Sequence, residues 1–111
     1  MTDADAGRSE NVIVTITSRH MQLTPALKQH AEDKAGKLTR YYDRIQEIEV
    51  VIDAAEGNEH RVEMIVNGEK KRLFIADVRN SDAYAGIDAC AAKLERQLSD
   101  HHKLTKNRKH Q

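Results

Sequence analysis

Tryptophan is absent from the 111 residues, phenylalanine occurs once, and aromatic side chains make up only 4% of the chain. A core must therefore be assembled mainly from Val, Ile, Leu and Ala. Apolar residues supply 39% of the sequence, enough for one modest domain. The single cysteine, Cys90, excludes an internal disulfide, and inside a helical pattern it reads as a small buried side chain. No stretch approaches the ~20 apolar residues needed to span a bilayer as a helix. The opening MTDADAGRSE is small and acidic, with no apolar segment of the kind a signal peptide requires. A cytoplasmic chain without a membrane partner is expected. The 18 basic and 18 acidic residues cancel, which argues against an indiscriminate polycation.

The signatures of catalysis are missing as well. The chain has no Gly-rich phosphate loop, no GxSxG, no HExxH and no cysteine pair. His20, His30 and His60 fall on three separate segments. His101 and His102 are adjacent, so on a helix they diverge by about 100° and cannot chelate one ion together. The expectation is no enzyme activity, no metal, no cofactor and no small-molecule substrate.

What is present is periodicity. Ala83, Ile87, Ala91, Leu94 and Leu98 recur at steps of three and four, an apolar stripe on a helix that Ser81 or Asp82 can cap. Lys93, Arg96 and Lys103 lie on another side of that cylinder. Residues 1–11 read as a disordered leader, 12–104 as one domain and 105–111 as a flexible basic tail. Val12–Thr17 is a short β-branched strand. Thr24-Pro25 opens a first helix, with Leu27, Ala31, Ala35, Leu38 and Tyr42 as its stripe, running to about Asp43. Strands follow over Glu47–Ala54, His60–Val66 and Lys70–Asp77. A turn is expected at Glu56-Gly57-Asn58 and a type I′ hairpin turn at Asn67-Gly68. The order β-α-β-β-β-α predicts an α+β two-layer sandwich: a four-stranded mixed sheet, its first two strands parallel, with both helices packed on one face.

Charge is segregated by element. Residues 46–80 hold eight acids against five basic residues, so the open sheet face is expected to be solvated and acidic. The helical segments carry a basic excess. Lys34, Lys37, Tyr41 and Arg44 fall in line on the first helix, and beside Lys93, Arg96 and Lys103 they predict a cationic groove for RNA phosphates. Either Tyr41 or Tyr42 can stack on an unpaired base, the other belonging to the core.

These segments carry a resemblance. Arg19-His20, Leu23-Thr24-Pro25-Ala26-Leu27, Lys34-x-x-Lys37-Leu38, Tyr41-Tyr42-Asp43-Arg44-Ile45 and Val66-Asn67-Gly68 precede Asp82-x-Tyr84-x-x-Ile87-Asp88 and Lys93-Leu94-x-Arg96-Gln97-Leu98. In that order, over residues 12–106, the chain resembles the short-form ribosome hibernation-promoting factors, also called ribosome-associated inhibitors or sigma-54 modulation proteins. The resemblance implies binding to the small ribosomal subunit over the A and P sites. Helices facing ribosomal RNA would exclude mRNA and tRNA in stationary phase or stress. It implies RNA contacts at Lys34, Lys37, Arg44, Lys93, Arg96 and Gln97, and, less tied to a motif, at Lys28, Arg40, Lys103 and Lys106. Asp82, Tyr84 and Asp88 would instead hold the second helix in place. Asp100 and His102 stand where relatives often carry lysine, and Gly86 where they carry alanine, which should loosen the helix by up to ~1 kcal/mol. Resemblance to the short forms, which are without the dimerisation domain of the long forms, implies that ribosome pairing would need a separate modulation factor as a second partner. The alternative is a protein-interaction regulator that uses the acidic sheet face.

Overall fold

The computed structural model describes residues 12–109, with side-chain surroundings through Leu104. The expected leader, the final two residues and the side chain of Lys106 lie outside that description. The elements are β1 (Ile13–Arg19), α1 (Pro25–Lys37), β2 (Ile45–Ala55), β3 (Glu59–Gly68), β4 (Leu73–Asn80) and α2 (Ala83–Lys109). The sheet order is β1-β2-β3-β4, with β1 parallel to β2 and the other pairs antiparallel. This is the expected α+β sandwich. The one helical crossover makes the one parallel pair.

Alternation sorts the strands as the sequence requires. Ile48, Val50, Ile52, Val62, Met64, Val66, Phe74 and Ala76 are buried beneath the helices. They meet Leu27, Ala31, Ala35 and Leu38 from the α1 side and Ile87, Cys90, Ala91, Leu94 and Leu98 from α2 in one cluster. Burial pushes the Cys90 thiol up to about 12, with its Sγ set 3.4 Å from the Ala76 carbonyl. Such a thiol is a packing group rather than a nucleophile.

The helix boundaries follow from local chemistry. Thr24 caps α1, its Oγ1 accepting the Leu27 N–H at 3.2 Å, with Pro25 at the first helical position. The helix does not run to Asp43. It tightens into a 3₁₀ turn over Leu38–Arg40, where the Thr39 hydroxyl donates to the Gly36 carbonyl at 2.8 Å. That tighter turn reverses the chain in time to start β2 at Ile45. At α2, Asp82 is the cap: its Oδ1 accepts the Tyr84 N–H at 2.9 Å.

Two turns differ in kind. The expected turn at Glu56-Gly57-Asn58 is present between β2 and β3, with Gly57 and Asn58 both at positive φ. Asn67-Gly68 is not a turn. Both residues lie within β3, Asn67 paired with Leu73, and Gly68 has an ordinary φ of −110°. The reversal falls at Glu69–Arg72, where Lys70 and Lys71 both take φ of 61°. Glycine is required at position 68 for space: a Cβ there would sit 3.1 Å from Tyr42 Cε2 and 3.5 Å from the Arg44 carbonyl oxygen. Gly86 likewise permits close approach, because a Cβ would lie 3.1 Å from Val62 Cγ2. Its cost in helix propensity is therefore offset by letting α2 settle onto β3.

Gly68→Ala is expected to destabilise the fold by about 1–3 kcal/mol in urea unfolding, since the added Cβ would press on the buried Tyr42 ring at 3.1 Å. Wild-type stability in that variant would mean that the ring is free to shift.

Candidate nucleic-acid interface

The candidate residues stand on both sides of the helical layer. The two helices meet along a seam where Asp88 of α2 accepts from His30 Nε2 at 2.7 Å and lies 3.6 Å from Lys34 Nζ. The Tyr84 ring packs edge-on against His30, with centroids 5.2 Å apart. Asp82, Tyr84 and Asp88 thus have structural work, one capping the helix and two joining it to α1. Lys34 is half-buried in this seam.

The opposite flank of α2 lies against the edge of the sheet. Gln97 Nε2 donates to the Ile75 carbonyl at 3.0 Å, and Lys93 Nζ reaches the Asp77 carbonyl at 3.5 Å. Together they cover outward carbonyls of β4, an edge that would otherwise invite another strand. A single groove combining Lys34 and Lys37 with Lys93 does not exist. With ~3.6 residues per turn, the side of α2 facing α1 carries Asp88 and Glu95, while Lys93 and Gln97 look the other way. Arg96 and Lys103 are exposed on the outer side of α2.

Arg44 also departs from expectation. It lies beyond the helix, in the turn before β2, and donates from Nη1 to both carboxylate oxygens of Glu69 at 3.1 and 3.0 Å. The Glu69 side-chain hydrogen bond and charge, helped by Asp43 at 3.6 Å, hold the guanidinium pKa above its ordinary value. Arg44 therefore braces the β3–β4 hairpin, which it also holds through its carbonyl, accepting the Glu69 N–H at 3.0 Å.

What the fold does bring together is one end of the molecule. β2 begins, β3 ends and α1 finishes there, which places Lys37, Arg40, Tyr41 and the hairpin tip in one region. α2 runs antiparallel to β4 and returns to the same end: His101 packs its ring on Tyr42 and Phe74 at centroid distances of 5.1 and 5.3 Å. Lys103 follows two residues later. Lys28 starts α1 at the far end and is not part of this group. Tyr42 is the core tyrosine, 8% exposed, and Tyr41 is the outward one at 36%. Sequence reasoning missed Lys70, Lys71 and Arg72, all exposed at the hairpin tip. The run Lys-Lys-Arg was their signal, masked by assigning the turn three residues too early.

The open sheet face is mixed rather than simply acidic. Glu47, Glu49, Glu63 and Asp77 share it with Val51, Ile65, Leu73 and Ile75, the last two about half exposed at 54% and 48%. Arg61 donates to Asp77 there, from Nε to Oδ2 at 3.0 Å, and that hydrogen bond draws the Asp77 carboxyl below its usual range.

This arrangement, a four-stranded mixed sheet under two helices with cations gathered at its hairpin end, defines a small α+β binding module. The profile of the sigma 54 modulation protein / S30EA ribosomal protein family matches residues 14–106, and the chain belongs to that family. It is 37% identical over 95 residues to the ribosome hibernation promotion factor of Bacillus subtilis, covering 85% of this chain and 50% of that protein. The chain thus spans half the length of that relative. The ribosome hibernation promoting factor of Acidithiobacillus ferridurans is 36% identical over 77 residues, which cover 68% of this chain and 97% of the relative. Among solved structures, the N-terminal domain of Thermus thermophilus Protein Y superposes with a TM-score of 0.71 at 29% identity, covering 80% of this chain and 97% of that one. A ribosomal subunit interface protein from Coxiella burnetii gives 0.70 at 25% identity, covering 81% and 97%.

The two tyrosines are expected to separate cleanly. Tyr42→Ala should cost about 3–5 kcal/mol in urea unfolding, in the range for deleting a buried aromatic. Tyr41→Ala should stay within about 0.5 kcal/mol of wild type. Equal losses would contradict the placement.

Proposed function

We propose that this chain is a non-enzymatic translation inhibitor that binds the small ribosomal subunit over the A and P sites. There it excludes mRNA and tRNA and keeps ribosomes in hibernation in stationary phase or stress. The observation that carries this reading is the cationic end of the domain, in a chain whose relatives are named for ribosome hibernation. Lys37, Arg40, Arg96 and Lys103 are exposed with no carboxylate partner among the described residues, and such cations suit RNA phosphates. Lys34, Lys93 and Gln97 lie on the flanks, where they divide their role between structure and RNA. Arg44 acts by bracing the hairpin, and Tyr41 is the tyrosine available for stacking. The partner is folded ribosomal RNA in the cytoplasm, with pairing of ribosomes left to a separate modulation factor.

A second reading rests on the open sheet face, where exposed Leu73 and Ile75 lie beside Glu47, Glu49 and Glu63. That surface suits a basic protein partner in the manner of a sigma-54 modulator.

Co-sedimentation with purified bacterial small subunits distinguishes the two. Wild-type protein should travel with the subunit at low salt. Lys37→Glu/Arg96→Glu should weaken binding and flatten its salt dependence by about one unit of slope per lost phosphate contact. Glu49→Lys/Glu63→Lys should leave binding intact or tighter. Loss of binding only in the sheet variant would favour the second reading.

A further inference from the structure

The β3–β4 hairpin tip combines three features that packing does not explain. Lys70 and Lys71 occupy the two central positions of a tight turn, closed by donation of the Arg72 N–H to the Glu69 carbonyl at 3.3 Å. Both are left-handed, with φ of 61°. Asn-Gly or Gly-Gly fills such positions with far less strain, because Cβ crowds the backbone there. Strain of this kind persists where the residue identity is needed for something else.

The second feature is charge. Lys70, Lys71 and Arg72 are three exposed cations in succession, and no carboxylate pairs with any of them among the described residues. The one acid in the turn, Glu69, is withdrawn by Arg44, whose Nη1 holds both its oxygens at 3.1 and 3.0 Å. The third feature is anchorage. The Glu69 N–H donates to the Arg44 carbonyl at 3.0 Å, and the Gly68 N–H donates to the Arg72 carbonyl at 2.7 Å. The first bond ties the tip to the turn that follows α1, on the same end as Lys37, Arg40 and Lys103, and the second closes the hairpin on itself.

From this juxtaposition we infer that Lys70, Lys71 and Arg72 form a phosphate-binding knob that grips the RNA backbone beside the helices. The inference rests on the RNA reading above and adds a contact outside both helices. It acts through charge on phosphate oxygens, so it anchors the domain without reading base sequence. Arg44 and Glu69 serve as positioning residues: their ion pair frees the knob of its nearest negative charge and fixes where it projects.

The strain supplies a test that separates binding from folding. Lys70→Asn/Lys71→Gly puts the favoured residues into the left-handed turn while removing two charges, so its melting temperature should rise. Its affinity for purified small subunits should nevertheless fall by about tenfold or more near physiological salt, with the salt slope reduced by about two. Lys70→Arg/Lys71→Arg should retain wild-type affinity. If the Asn-Gly variant binds with unchanged affinity and slope while wild type binds well, the knob is overturned and the RNA reading stands. If the Arg pair binds as weakly as Asn-Gly, side-chain shape rather than charge is at work, and the knob is again overturned. Failure of wild type to bind would overturn the RNA reading and the knob together.

Discussion

The packing of α2 across β3 and β4 is the constraint on which the other features depend. Ile87, Cys90, Leu94 and Leu98 face the sheet without exposed surface, and Gly86 lets the helix approach Val62 closely. Because the chain leaves β4 at Asn80 and caps the helix at Asp82, α2 must return antiparallel to β4. Gln97 then meets Ile75, and His101 meets Phe74 and Tyr42. The last turns of α2 are delivered to the hairpin end by that geometry. Lys103 arrives there because of apolar residues earlier on the same helix.

Much of this was legible. The steps of three and four in α1 and α2 and the alternation in β2, β3 and β4 are properties of single elements, which sequence displays directly. Val51 and Ile65 broke the alternation in the sequence and prove to lie on the open face, opposite the core. The misreadings share a cause: each needed the relation of one element to another. Asn67-Gly68 carries a strong local turn signal, but β3 runs through Gly68, which pairs with Ile45 of β2 and lies against the Tyr42 ring. Arg44 fits a helical line with Lys37 and Tyr41 only if α1 continues, and the 3₁₀ turn at Leu38 ends that line. Lys93 and Gln97 look like solvent-facing residues on a wheel, whereas the edge of β4 lies beside them.

The charge pattern explains how a chain of zero net charge can present a cationic end. Several acids are engaged within the fold: Asp88 joins the helices, Asp82 caps α2, Glu69 pairs with Arg44, and Asp77 pairs with Arg61 on the open face. Among the described residues, Lys37, Arg40, Lys70, Lys71, Arg72 and Lys103 have no carboxylate partner and gather at one end. On the proposed reading, a field of this shape would draw a polyanion such as RNA to that end. Family membership supplies the setting in which such an end has use, and the hairpin tip extends it beyond the helices.

The most direct test of this account is residue-resolved lysine modification of the protein, free and bound to small subunits, read by mass spectrometry. The account predicts that Lys37, Lys70, Lys71 and Lys103 become protected together on binding, while Lys28, at the far end of α1, keeps its reactivity. Protection of Lys28 with continued reactivity at Lys37, Lys70, Lys71 and Lys103 would place the interface on another surface and contradict it.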